Sequence, residues 1–505
     1  MKVIRLKFIL VSILLMSLPV AAQEGGQGTA SGTQSGNSQT TQQQQQGAPA
    51  GQRATGDAGQ QQVGAPASSG GVITRGQTIP GAAVVTQGPS ALSLEEAIRI
   101  AIKNNLATLL ASERRREAEG FKQEARSALL PNISGTSYQA SVTQNLAALG
   151  FQPGTFPGIT NTFIGPFNNF DARARLVQTI FDMSAIKNYQ AGRAGVRVAE
   201  YEEQLAREQV ASGTALIYLE ALRAGRAVAA AQANVELAET LVKLAEDQRT
   251  AGIATGVDVT RAEVRLAEEH VRLAQAQASS EEATLNLQRV VGIPQGAPLT
   301  LTDTLRFTEE PTPAPESLIA GAGQARPEVR IAEEQIKVNR LERDAVRAAY
   351  LPSVEFVGDY GVSGITPFDT ALPTRRAAIQ VNVPIFNGGL TAGREAVAAS
   401  RQRQAELQLG NVRGQVEQDI RLALVTLRTA AEQVRASDES ARLAERELEM
   451  SRDRFRAGVA DNLEVVNAQT SLANARDAQV TALARYNAAR LNLAAATGRA
   501  ETFRW

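Results

Sequence analysis

The chain has 505 residues, with 52 basic against 52 acidic side chains, 43% hydrophobic and 4% aromatic content, no cysteine and one histidine. The balanced charge excludes the basic excess typical of nucleic-acid-binding domains, and the lack of cysteine excludes thiol catalysis, disulfides and cysteine-based metal sites. The single histidine, His270, excludes a multi-histidine metal site within one chain. We therefore expect neither a bound metal nor a cofactor.

The N-terminal region predicts an exported protein. Residues 1–22 carry three basic side chains, then an apolar run from Phe8 to Leu18, then small residues up to Ala22. This order predicts a signal peptide cleaved after Ala22. The alternative, a membrane anchor, is disfavoured because a spanning helix needs roughly 20 apolar residues. Residues 23–89 are rich in Gln, Gly, Ser and Thr, which predicts a disordered segment.

Residues 90–294 predict a first helix–strand–strand–helix repeat. The predicted elements are a helix capped by Ser93 that runs to Leu130, a strand from Asn132, a loop over 150–169, a strand over 172–180, and helical pattern from Asp182 past Ala251 to Gly292. Pro131 stops the first helix, and alternating sidedness marks the second strand. The predicted order therefore places two strands between long helices.

After a Pro-rich linker and equatorial region over 295–325, the scheme repeats in residues 326–500, and 501–505 form a C-terminal tail. Apolar residues alternate with small or polar ones from Ser353 and again up to Ile385. Such alternation over about ten residues is typical of a transmembrane β-strand, although a soluble half-buried hairpin is locally indistinguishable. The predicted lipid-facing residues of all the strands are Leu176, Ile180, Val354, Phe356, Tyr360, Ile379, Val381, Val383 and Ile385.

The second repeat then predicts one very long helix from Leu390 to Arg456. At 1.5 Å per residue such a helix extends about 100 Å. In the helices that follow the two turns, apolar residues recur every seven positions. Sustained seven-residue spacing predicts left-handed coiled-coil packing.

An internal duplication is clearest around two turns. Residues 245–292 align without a gap on residues 451–498, so that Gly252 falls on Gly458. Each copy predicts a helix end, a glycine turn and a new helix start. Thr255 and Asp461 are predicted to cap the new helices, with Asp258 and Glu464 completing capping boxes. An ordinary helical hairpin explains one copy, but gapless repetition indicates duplication.

Four strands per chain cannot enclose a membrane barrel, because an open edge in lipid leaves backbone groups unpaired. If the strands span, several chains share one barrel. Two chains give eight strands and an interior filled by side chains, whereas three give twelve strands and leave a lumen. The chain physics therefore predicts an oligomeric, membrane-embedded conduit with the two turns at its far end.

The order of short motifs resembles the TolC family of outer-membrane efflux proteins over residues 90–500. The motifs are Ala128-Leu-Leu-Pro131 with Leu351-Pro352, Gln178-Thr-Ile-Phe-Asp-Met-Ser184, Pro384-Ile-Phe-Asn-Gly-Gly389, and the stretch from Arg454 to Gly498. The resemblance implies a mainly α fold: a long α-helical coiled-coil barrel plus four β-strands per chain, shared as a twelve-stranded β-barrel in a homotrimer. It also implies an outer-membrane location extending into the periplasm, and docking to a periplasmic adaptor (membrane fusion protein) and an inner-membrane pump.

The resemblance also implies residue roles at the turns. Carried over by position, the periplasmic gate comprises Asp258, Arg261, Glu464 and Asn467. The family has an acidic residue where this chain has Asn467, which weakens the expected cation-selective ring. Alternatively, Asp258 and Glu464 merely cap their helices. The implied adaptor-docking residues are Ala251, Gly252, Ile253, Ala254, Thr255, Ala457, Gly458, Val459, Ala460 and Asp461.

Two other classes of protein compete with the export channel. A soluble periplasmic coiled-coil adaptor shares the helical hairpins, but it normally carries a separate β domain rather than paired strands between helices. An exported enzyme is disfavoured, because no nucleophile–base constellation is present and pairs such as Glu268-Glu269 fit solvated helical faces. His270 is expected to be solvated. Arg173 and Arg175 either line the barrel lumen or are ordinary loop residues.

Overall fold

The structure is a computed structural model that describes residues 79–86, 90–150, 152, 162–308, 314–368 and 370–504. The predicted signal peptide and most of the predicted disordered segment lie outside these residues. The described strands are β1 (Ala91–Leu92), β2 (Asn132–Asn145), β3 (Phe163–Phe181), β4 (Thr300–Leu301), β5 (Ser353–Gly364) and β6 (Leu372–Asn382). The described helices are α1 (Leu94–Asn104), α2 (Leu106–Ser127), α3 (Met183–Thr250), α4 (Gly256–Val291), α5 (Pro315–Ala325), α6 (Pro327–Ala348), α7 (Leu390–Arg456) and α8 (Asn462–Ala496).

The helices that join the sheet to the turns confirm the sequence prediction. The helix α7 has the predicted bounds, and α3, with 68 residues, extends about 100 Å. The seven-residue series in α4 and α8 contributes buried side chains, among them Val259, Val465 and Leu472. None of the described helices combines the length and apolar content needed to cross a membrane.

Residues 79–86 correct the prediction of disorder for that part of 23–89. Ala82 bridges to Asn105, and the Ala83 N–H donates to the Asn104 carbonyl at 2.8 Å. Because this contact competes with the helical hydrogen-bond pattern, the predicted single helix from Ser93 is divided into α1 and α2. The Asn105 side chain caps α2 by accepting from the Ala107 N–H at 2.9 Å.

The four longer strands form one antiparallel sheet in the order β2-β3-β5-β6. The strand β3 begins at Phe163, inside the predicted loop, because residues 163–171 pair with the far half of β2. The prediction that the last strand reaches Ile385 is wrong. The first residue of β5, Ser353, pairs with Asn382, so Val383 and Ile385 have no β5 residue beside them, and Pro384 offers no N–H to a ladder.

The middle of the helical region is fixed by a buried tyrosine. Tyr218 of α3 is fully buried, and its hydroxyl donates to the Leu92 carbonyl at 2.9 Å and contacts Asp303 Oδ2 at 2.8 Å. Burial raises the pKa of Tyr218, so the hydroxyl keeps its proton as a donor. This contact holds the parallel β1–β4 pair against α3, and sequence analysis predicted neither this pair nor α5 in the linker.

Candidate functional site

The two hairpin turns share one backbone geometry. Gly252 and Gly458 have φ of +73° and +70°, and the following residues, Ile253 and Val459, donate back to carbonyls of the preceding helix at 2.9 and 3.0 Å. Only glycine adopts such a positive φ without strain, which explains the aligned glycines of the duplication. The predicted docking residues lie at these turns, all exposed except the half-buried Ala254 and Ala460.

The acidic residues at the two turns differ in their partners. Asp258 completes a capping box with Thr255, accepting from the Thr255 N–H at 2.8 Å, and it pairs with Arg261 at 3.6 Å. Glu464 does not complete the predicted second box, since its carboxylate instead pairs with Arg454 Nε at 3.1 Å. Asp461 alone caps α8, accepting from the Glu464 N–H at 3.2 Å.

Hydrogen bonds from the Thr255 side chain and backbone hold the pKa of Asp258 below its usual value. A depressed folded pKa means that the carboxylate stabilises the cap fully above the usual aspartate pKa of about 3.9. This stabilisation is lost as the pH falls through the folded pKa. The Asp258 cap is therefore fully formed at neutral pH and weakens in acid.

One side chain joins the two hairpins at the tips. Asn462 of α8 is 2% exposed, and its Nδ2 donates to the Asp258 carbonyl at 2.6 Å. Gly458 lies against Ile253, and an added Cβ would stand 3.4 Å from the Ile253 Cγ2 atom. The turns of the two repeats are therefore in contact. Asn467 is exposed beside them, and its side chain makes no bond like that of Asn462 among the described residues.

Next to the tips, α4 and α8 enclose an open groove of about 710 Å³. Its apolar wall includes Val257, Val264 and Leu463, and its polar wall includes the predicted gate residue Arg261 together with Arg265. The groove therefore offers apolar area within reach of the exposed turn residues, while its two arginines are paired with Asp258, Glu268 and Glu269.

At the other end of the chain, the sheet has one apolar and one polar face. Residues opposite each other on paired strands share a face, so the pairings of Leu176 with Gly358 and of Phe356 with Ile379 place these apolar residues together. Val354, Tyr360 and Val381 share that face by alternation, whereas Ile180 has no paired residue on β5 because it lies at the register shift between Thr179 and Phe181. Arg173 and Arg175 lie on the opposite, polar face.

The comparisons with known proteins agree on one family. The profile described as Outer membrane efflux protein matches residues 97–293 and 318–499. The chain belongs to the outer membrane efflux protein family. It is 23% identical over 400 residues to the alkaline protease secretion protein AprF of Pseudomonas aeruginosa, covering 76% of this chain and 80% of AprF. It is 25% identical to the probable efflux pump outer membrane protein TtgC of Pseudomonas putida, over 49% of this chain and 53% of TtgC.

Solved structures agree on the fold of this efflux protein. The Campylobacter jejuni CmeC outer membrane channel matches with a TM-score of 0.69 at 19% identity, covering 81% of this chain and 86% of CmeC. The resemblance to the TolC family is thus confirmed, as is the fold class of long helices plus antiparallel β-strands. The family acts as a channel for export at the outer membrane, and the adaptor alternative is not favoured.

Sequence reasoning on this efflux protein missed Asn462 and Arg454. In the alignment of the two repeats, Asn462 falls on Gly256 and Arg454 falls on Gln248. Both positions therefore differ chemically between the copies, and that difference is the signal that could have identified them. At these two positions the second hairpin has acquired side chains that contact another helix.

Replacing Asn462 with alanine is expected to loosen the tips of this efflux protein. The substitution removes the side-chain bond between the hairpins, whereas Glu464→Ala removes a pair within one hairpin. A net hydrogen bond contributes about 1 kcal/mol, which shifts a closed–open equilibrium about fivefold. We therefore expect a severalfold rise in single-channel conductance for Asn462→Ala and a smaller change for Glu464→Ala. Equal conductance in the wild type and Asn462→Ala would show that this contact does not hold the tips.

Proposed function

We propose that three copies of this chain form a continuous export channel that docks to a periplasmic adaptor and, through it, to an inner-membrane pump. The observation that carries the proposal is that the sheet, and the helices that continue it, have two outer edges that no other described element of the chain covers. Among the described residues, neither β2 nor β6 has a partner strand on its outer side. An open sheet edge in lipid leaves backbone groups unpaired at several kcal/mol each, so further copies must cover both edges.

The outermost helices lie on the same two sides of the chain as the open sheet edges at β2 and β6. Near the sheet, packing runs in the order α2, α3, α6, α7, and towards the turns in the order α4, α3, α8, α7. The helix α7 therefore follows β6 on one side, whereas α2 and α4 follow β2 on the other. Because the two edges consist of different elements, they fit a head-to-tail contact that closes into a ring.

Apolar side chains at seven-residue multiples support helix packing at these edges. On α4 the exposed set is Val257, Val264, Val271 and Leu285, at 59%, 55%, 57% and 37% exposure. On α7, Leu422, Leu443 and Met450 are 52%, 49% and 56% exposed. We define these sets as the α4 stripe and the α7 stripe. Three copies supply twelve strands, the number at which a barrel retains a lumen.

The outward position of the apolar sheet face supports contact with outer-membrane lipid. Tyr360 and Ile379 on that face are 66% and 68% exposed in the single chain. Soluble proteins rarely leave such a band of aromatic and β-branched side chains exposed, whereas a membrane barrel presents it to the acyl chains.

The exposed turns support the adaptor-docking role of the tip residues, and the paired charges of Asp258 and Glu464 support their role at the gate. AprF is named for protein secretion and TtgC for an efflux pump, so export through the outer membrane is the property that both names share. The proposed role of this chain is accordingly passive conduction rather than catalysis, with cargo selected by the pump.

Single-channel conductance in a planar bilayer, with the mass of the detergent-purified protein measured in parallel, tests this proposal. We expect a trimer with small conductance, because closed tips limit the current. A monomeric protein that never inserts would contradict the proposal and would favour the soluble periplasmic adaptor.

A further inference from the structure

The polar face of the sheet carries a row of charges that the export role by itself does not require. In the aligned register, Ser134 of β2, Arg175 of β3, Asp359 of β5 and Arg376 of β6 stand side by side. Directly opposite residues on neighbouring strands have Cβ atoms about 5 Å apart, so the two arginines flank Asp359 closely.

The neighbouring rows on the same face show which of these charges already have an ion-pair partner. Arg173 pairs with Asp171 and, at 3.3 Å, with Asp359. Asp171 is 4% exposed at its side chain and Asp359 is 12% exposed. Arg173 therefore contacts both aspartates, and its single positive charge balances only one of them. Within the described part of the chain, no ion pair involves Arg175 or Arg376, and both are exposed.

A glycine makes this arrangement sterically feasible. Gly361 lies directly opposite Arg173, and a Cβ added there would stand 2.5 Å from the Arg173 Cβ atom. The absence of a side chain at Gly361 leaves room for Arg173 to lie across β5 towards Asp359. Arg173 thereby competes with Arg175 and Arg376 for Asp359, so the two aspartates leave one of the three arginine charges uncompensated.

The chemistry of the two faces indicates which one is inward. The apolar face presents Tyr360 and Ile379, which are 66% and 68% exposed, and a membrane barrel turns such a face to the lipid. The polar face is therefore the inner face of the sheet in a barrel. In a barrel of three copies, which is the function proposed above, the row of Arg175 and Arg376 forms a ring around the lumen.

We propose that Arg175 and Arg376 form an anion-binding ring in the barrel lumen that transiently holds multivalent anionic solutes as they leave the channel. Three adjacent rows carry three arginines against two aspartates, so each chain contributes one net positive charge. Glu355, on the same face, lies two rows away from Asp359 towards the helices and does not compensate this row. Guanidinium groups suit the ligand because they donate paired hydrogen bonds to phosphate and carboxylate oxygens.

Block of the channel by tripolyphosphate tests the ring. The anion is added, in about 0.1 M KCl, to the chamber opposite that of protein addition. The barrel opens into that chamber, because the long polar helices cannot cross the lipid and remain on the side of addition. At this ionic strength charges interact over about 10 Å. We expect concentration-dependent block of the wild type, and a half-blocking concentration at least threefold higher in Arg175→Gln and Arg376→Gln. The conservative Arg376→Lys should retain most of the block.

The adjacent residue Arg375 provides a matched control. It lies on the same strand and carries the same charge, but it pairs with Tyr360 on the apolar face. Block unchanged in Arg375→Gln but weakened in Arg376→Gln supports the ring. Equal block in all variants, equal weakening in Arg375→Gln, or an unblocked wild type would overturn the ring while leaving the channel intact. A protein that forms no channels would instead refute the proposed function itself.

Discussion

Replacing both Leu443 and Met450 with glutamate is expected to abolish the trimer while leaving the single chain folded. Both side chains belong to the α7 stripe and are about half exposed in one chain, at 49% and 56%. Their replacement therefore removes no intrachain core contact of the kind made by Leu448, which is 4% exposed on the same helix. Burying an uncompensated carboxylate costs several kcal/mol, and a three-copy ring incurs this cost at each interface.

Native mass spectrometry in detergent measures this outcome directly, and circular dichroism reports whether the helices persist. We expect a monomer of unchanged helicity. The matched control exchanges the two residues, Leu443→Met with Met450→Leu, because volume-conserving apolar substitutions cost little. A glutamate variant that remains trimeric would show that α7 is not an interface helix and would refute the head-to-tail arrangement.

The Arg265→Ala substitution is expected to destabilise the hairpin of α3 and α4 by about 3–5 kcal/mol, the cost of leaving a buried charge without its partner. Glu269 is fully buried and its Oε1 atom lies 2.5 Å from Nη2 of Arg265, whose side chain is 5% exposed. Arg272 offers only a longer contact of 3.6 Å from a more exposed position. This pair also corrects the prediction that Glu268 and Glu269 both lie on a solvated helical face, since Glu269 is fully buried.

The midpoint of denaturant unfolding, followed by helicity, measures this effect. The matched control is Arg442→Ala, which breaks an exposed pair with Glu439, three residues away on the same helix, and should cost less than about 1 kcal/mol. The double variant Arg265→Met, Glu269→Leu should recover most of the lost stability, because no charge remains buried. A midpoint for Arg265→Ala equal to that of Arg442→Ala would show that Glu269 is solvated after all.

Much of the fold could be predicted from the sequence because its determinants are local. The long helix Leu390–Arg456 follows from an uninterrupted helical pattern, which ends where Gly458 takes a positive φ. The positions of the turns, their glycines and the cap at Thr255 follow from side chains that satisfy backbone groups a few residues away. The family followed from the order of such local signals, repeated twice in one chain.

The remaining features depend on pairings between residues far apart in sequence, which no local pattern encodes. Register with β2 makes residues 163–171 a strand despite their loop-like composition, and the start of β5 at Ser353 ends β6 before Ile385. Likewise, only the packing of α8 on the first hairpin brings Asn462 to Asp258, and only burial makes Glu269 dependent on Arg265. Sequence determined the elements and their order, because backbone hydrogen bonding and capping are local. The tertiary structure decided which side chains of those elements meet.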